Sequence, residues 1–175
     1  MAAIKDQAIK HVIILGPSHQ SPLKNSFITP LSSIFQTEIG RSRVNKAFIE
    51  NISTIEGHQE NDELFETEHS IWMMLPFIQH LHPDTLITPI ITGSLNRKQT
   101  QSLASTITNI YSNETLIIIS SDFTHYGHSF NYMPFTANIA QEIKNIDRTA
   151  FQFIINKDRD GFWNWYHSNQ TTICG

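Results

Sequence analysis

His11-Val12-Ile13-Ile14-Leu15-Gly16 is a run of branched apolar residues closed by a glycine. The run is too short for a helix and apolar at every position, the pattern of a strand covered on both faces rather than one with a wet face. Leu116-Ile117-Ile118-Ile119-Ser120 repeats it, and both are read as buried parallel strands. Between them Leu86-Ile87-Thr88-Pro89-Ile90-Ile91-Thr92-Gly93 is a third strand. Its Pro89 predicts a sheet edge or a bulge, because proline cannot donate to a ladder. Apolar residues at Ile71, Met74, Leu75 and Ile78 predict one amphipathic helix, and Ile139, Ile143, Ile146, Ala150 and Phe153 predict another. Segments 98–111 and 43–52 are read as further helices, and the polar, acidic segment 56–67 as a surface loop. Strands alternating with helices predict an α/β fold, a mostly parallel buried sheet with helices on both faces, in one domain over residues 1–175.

Composition narrows the function. The chain has 175 residues, 39% hydrophobic and 16% charged, with a mean hydropathy of -0.24, which suits a folded globular chain. A net charge of -4 with 12 basic residues gives no positive stripe for a phosphate backbone, so no nucleic acid partner is expected. No apolar run approaches the roughly 20 residues that span a bilayer, so no membrane is expected either. The polar start Met1-Ala2-Ala3-Ile4-Lys5-Asp6 and the single cysteine, Cys174, place the protein in the cytoplasm. Nine histidines stand out in so uncharged a chain, since imidazole is the commonest metal ligand and titrates near neutrality.

Two strands run directly into polar residues: Gly16-Pro17-Ser18-His19, and Ser120-Ser121-Asp122-Phe123-Thr124-His125-Tyr126-Gly127. In an open α/β sheet the carboxyl ends of neighbouring strands share one crevice, so His19, Asp122 and His125 are candidates to meet there. The pattern alone equally allows His19 and His125 to bond loop backbone and Asp122 to cap a turn. Glu68-His69-Ser70 opens a helix, with Glu68 or Ser70 as its N-cap. His69 is then either a crevice proton donor and orienter or a capping-loop histidine. His80 and His82 fall at a helix end, where polar side chains are common. Trp163, Trp165 and Tyr166 read as core-filling aromatics. Cys174 reads as a small apolar residue, with no cation beside it in sequence to ionise its thiol.

Taken together, Ile14-Leu15-Gly16-Pro17-Ser18-His19, Glu68-His69-Ser70 with Leu75-Pro76-Phe77, Ser120-Ser121-Asp122-Phe123-Thr124-His125-Tyr126-Gly127 and Thr172-Ile173-Cys174-Gly175 resemble the Memo family. Its bacterial and archaeal members are called AmmeMemoRadiSam system protein B. The resemblance implies the fold of class III extradiol dioxygenases with a non-haem metal crevice. It implies His19 and Cys174 as ligands of one iron or copper ion, and Asp122, His125 and His69 as residues lining the same crevice. It also implies a partial chain, since the family's first metal histidine lies upstream of the strand that begins here and relatives continue beyond Gly175. Relatives carry an acidic residue where Trp72 stands and a polar one where Met74 stands.

The first expectation is therefore a dioxygenase-like or redox-active metal protein. In it His125 or His69 acts as acid or base, Asp122 holds an imidazole tautomer, and Ser18 bonds beside the metal. The alternative is a non-catalytic binding or scaffold protein receiving a small-molecule or peptide ligand, or a metal ion, in the same crevice. A hydrolase built on Ser120, Asp122 and His125 ranks last, because no Gly-x-Ser-x-Gly elbow is present. Missing flanking strands would leave sheet edges exposed, and self-association through them is expected.

Overall fold

The computed structural model describes residues 4–5, 7–169 and 171–174. Residues 1–3 and Asp6 of the polar start, Gln170, and Gly175 of the last motif lie outside them. The described residues group into two compact units, one running through Ser120 and the other over Ser121–Cys174.

The first unit is built on a sheet. Its strands are β1 (His11–Pro17), β2 (Phe27–Thr29), β3 (Ile34–Gln36), β4 (Arg41–Val44), β5 (His58–Glu60), β6 (Leu86–Thr92) and β7 (Thr115–Ile119). The order is β3-β4-β6-β1-β7, with β2 joining β6 and β5 joining β2. β1 lies parallel to both β6 and β7, with Val12 opposite Ile87 on one side and Leu116 on the other. β4 is also parallel to β6, whereas β3–β4 and β2–β6 are antiparallel. The helices of this unit are α1 (Lys46–Ser53), α2 (Asp62–Thr67), α3 (His69–Trp72), α4 (Leu75–Leu81) and α5 (Arg97–Ile110).

Because side chains alternate along a strand, the buried run of β1 feeds two cores. Val12 and Ile14 join Ile87 and Ile91 and pack against Phe65, Ile71, Leu75 and Ile78 of α2, α3 and α4. Ile13 joins Ile90 and packs on the other face against Phe48 and Ile52 of α1 and Leu103 and Ile107 of α5. Helices thus cover both faces of a mostly parallel sheet, the α/β architecture that the two apolar runs predict. β7, however, is an edge strand whose Ile117 and Ile119 are exposed rather than buried as its apolar run predicts. α5 starts on a capping box, Asn96 bonding Gln99 N–H and the Gln99 side chain bonding back to Asn96 N–H.

Four local expectations are corrected. Pro89 sits not at an edge but in β6, between β1 and β4. Leu86 N–H donates to Lys10 O and Ser18 N–H to Thr92 O, so the even residues of β6 address β1, while Asn45 N–H donates to Ile87 O on the opposite flank. On that flank β4 pairs Leu86 and Ile87, and β2 pairs Ile91 and Thr92. Pro89 nitrogen points into the gap between them, where no ladder donor is required. The single helix expected from Ile71 to Ile78 is two, α3 and α4, because Pro76 stands in the first turn of α4 and cannot donate back into α3. Segment 43–52 is the end of β4 followed by α1. Segment 56–67 holds β5 and α2, whose Leu64 and Phe65 are buried, so its acidic residues mark only the outer face.

The second unit carries a short 3₁₀ turn at His128–Phe130 and two helices, α6 (Ile139–Ile155) and α7 (Arg159–Ser168). The apolar periodicity of α6 is matched by a helix of 17 residues, yet within it only Ala150 is buried. In α7 no residue is buried, so its aromatic residues do not fill a closed core. They pack on one another and on α6, Trp165 lying 6.0 Å from Phe153 and 6.1 Å from Phe162 between ring centroids. Among the described residues no helix is long and apolar enough to cross a membrane.

Candidate functional site

β1 delivers His19 to the carboxyl end of the sheet, where the N-terminus of α3 meets it. The approach is close because Gly16 has no side chain: a Cβ there would lie 2.5 Å from Ser70 Oγ. Ser70 Oγ instead donates to Pro17 O at 3.1 Å, fixing α3 to the strand end.

Glu68 occupies this junction and is wholly buried. Its carboxylate caps α3 by accepting Ser70 N–H at 3.0 Å. It also accepts His19 N–H at 2.6 Å and stands 2.8 Å from His19 Nδ1. Burial by itself would raise the carboxyl pKa, but the bonds from the His19 ring and backbone and from Ser70 outweigh it and lower the value to about 2. A permanent anion therefore lies beneath His19. The His69 ring stacks on that of His19, with centroids 4.4 Å apart and planes 25° from parallel, and its Nδ1 is 3.6 Å from Glu68 Oε1. His19, Glu68 and His69 each offer a ligand atom, all within 4.8 Å of one another. Two imidazoles over a carboxylate, with the His19 side chain one-third exposed and that of His69 more than half, form a donor set that a transition-metal ion fits and can reach. Ser18, expected beside the metal, turns its hydroxyl to Ser21 O at 2.7 Å.

In the second unit the chain end folds back onto the Ser121–Tyr126 loop. Thr172 Oγ1 accepts His125 N–H at 3.0 Å and donates to His125 O at 2.6 Å. His125 Nδ1 is 2.7 Å from Thr172 O. A carbonyl only accepts, so Nδ1 carries the proton and Nε2 is the open nitrogen. Thr172, rather than Asp122, thus sets this tautomer, and Asp122 Oδ2 lies 3.6 Å from Nε2 with its side chain 81% exposed. Cys174 Sγ accepts Asp122 N–H at 2.9 Å, and Ser121 Oγ donates to Cys174 O at 2.5 Å. The thiol that has no cation beside it in local sequence thus gains an N–H donor from a residue 52 positions away.

The structure therefore gathers His19 and His69 in the first unit, and Asp122, His125 and Cys174 in the second. Glu68 as a partner of His19 was not anticipated; its capping role alone accounted for its place in the sequence. The remaining signal was an acid adjoining a candidate histidine at a helix start. His11, half-buried at the start of β1, lies outside the site: its Nε2 is 2.8 Å from Thr88 Oγ1, and burial lowers its pKa to about 4.

The chain is similar to several known proteins. A MEMO1 family protein of Thermococcus onnurineus is 30% identical over 185 residues, spanning 99% of this chain and 63% of the relative. The protein memo-1 homolog of Caenorhabditis elegans is 30% identical over 98% of this chain and 51% of its own length. Protein MEMO1 of Xenopus laevis is 30% identical over 95% and 59% respectively. The chain thus spans between half and two-thirds of the length of these relatives. The family described as Memo-like protein matches residues 1–175, and the chain belongs to that family.

Proposed function

We propose that this chain is a metal-binding protein whose ion is held by the imidazoles of His19 and His69 beside the buried Glu68 carboxylate, and that the ion is redox-active iron or copper. The observation that carries the reading is the stacked His19 and His69 pair over a buried, ionised carboxylate, with ligand atoms within 4.8 Å. Imidazole suits iron and copper, and either ion, when bound, would supply Lewis acidity and one-electron chemistry. The protein's own contributions are distinct. Glu68 adds a negative charge that favours a cation beside the imidazoles. His69, more than half exposed, is placed to exchange a proton with solvent or ligand. In the second unit, His125 with its open Nε2 is a general base, and Cys174 is a thiolate ligand or redox group. Dioxygenase-like turnover of a small aromatic ligand is the activity to assay. A non-catalytic role, holding a peptide or metal ion without turnover, is the alternative.

The test is anaerobic titration of the reduced protein with Fe(II) and with Cu(I), repeated on His19→Ala, His69→Ala and Cys174→Ser. About one ion bound by the parent and lost in His19→Ala supports the reading. Equal binding by parent and His19→Ala overturns it. Oxygen uptake by the loaded parent then separates an enzyme from a binder.

A further inference from the structure

We infer that Glu68 is a positioning residue and not a metal ligand: it holds His19 in the Nδ1–H tautomer, leaving Nε2 as the open nitrogen. The inference rests on the proposed metal reading only for its functional consequence.

Three N–H groups converge on the Glu68 carboxylate. Oε2 accepts His19 N–H, and Oε1 accepts Ser70 N–H and faces His19 Nδ1. An ionised carboxylate only accepts, so the 2.8 Å contact requires a proton on Nδ1. With both oxygens engaged and the side chain wholly buried, Glu68 could ligate an ion only by abandoning these donors. It binds His19 at two points, backbone and ring, and this closed loop fixes both side-chain torsions of the histidine. The stacked His69 ring restrains the remaining face. A carboxylate behind a histidine, with the far nitrogen outward, is the usual support of a metal-ligating imidazole. The same carboxylate caps α3, so the aim of His19 and the start of α3 are set by one group.

The experiment reads the tautomer directly. Two-bond ¹⁵N–¹H correlation spectra of the metal-free protein, which report the protonation of each ring nitrogen separately, assign the proton to Nδ1 or Nε2 of His19. The expected parent spectrum shows Nδ1–H, although free histidine prefers Nε2–H. In Glu68→Gln the preference is expected to weaken or reverse. Ser70→Ala, which loses the hydroxyl bond to Pro17 but keeps the capped N–H, is expected to lower stability and leave the tautomer unchanged; this separates positioning from mere support. An Nε2–H parent, or a Glu68→Gln protein that keeps Nδ1–H, overturns the inference, and the parent spectrum decides even if the variant does not fold. Fe(II) affinity of Glu68→Gln is expected to fall about ten- to a hundred-fold. Should the parent bind neither Fe(II) nor Cu(I), the metal reading fails while the tautomer result stands.

Discussion

Gly16 and Ser70 approach so closely that any side chain at position 16 would occupy the space of the Ser70 hydroxyl, 2.5 Å from an ideal Cβ. Ser70 Cβ lies 2.9 Å from the same point, so the neighbour that must yield is the first turn of α3, not a flexible tip. Gly16→Ala is expected to destabilise the protein by about 1–3 kcal/mol in urea unfolding. It should also shift the amide resonances of His19 and Ser70. Unchanged His19 shifts would mean that α3 and the strand end move independently.

Acid should weaken the fold in two stages. His11 has a folded pKa of about 4 against 6.5 unfolded, so the unfolded chain takes up its proton first. Stability is therefore complete above 6.5, falls as the pH drops through 6.5 toward 4, and loses no more from this group below that. His58, also lowered by burial against the opposing charge of Glu60, acts in the same direction. Glu68 follows, with stability present above 4.5 and lost as the pH falls toward 2. Unfolding free energies measured from pH 8 to pH 3 should show both stages. His11→Gln should flatten the upper one, and an unchanged slope there would contradict the assignment.

Pro89 is buried in β6, and its nitrogen faces the gap between β4 and β2. Pro89→Ala places a buried N–H where no strand accepts it, and relaxes a constraint on the unfolded chain. The expected loss is about 1–3 kcal/mol. An unchanged thermal midpoint would show that the new N–H finds a partner the strand pairing does not reveal.

Thr172 carries two hydrogen bonds to the His125 backbone through one hydroxyl. Thr172→Val keeps the shape and deletes both. Amide exchange at His125 should then accelerate by about ten- to a hundred-fold, corresponding to about 1–3 kcal/mol of local stability. Exchange at Val12 and Ile13, deep in the sheet of the first unit, should not change.

β1 and β7 were legible as short, unbroken apolar runs, and α6 as an apolar helical periodicity. α2 was not, since two buried residues, Leu64 and Phe65, are too few to impose a period on an acidic segment. Pro89 misled because a proline's cost depends on which flank its nitrogen faces, and only the register reveals that. His19 and His69 were visible as histidines at element ends. The hydrogen bond joining His19 to Glu68 was not, because it links positions 49 apart and Glu68 already had a sufficient local role as a cap. The loop holding His125 to Thr172 is equally non-local, with 47 positions between partners.

The sheet order has a consequence for synthesis. β1 leaves the ribosome well before its two neighbours, β6 and β7, which end at Thr92 and Ile119. Until β6 is made this apolar strand has no partner on either side, and each pairing closes a long loop. Nascent chains halted before residue 86 should therefore depend on holdase chaperones, while chains extending past β7 should resist protease. The strand that aims His19 is made early and secured late.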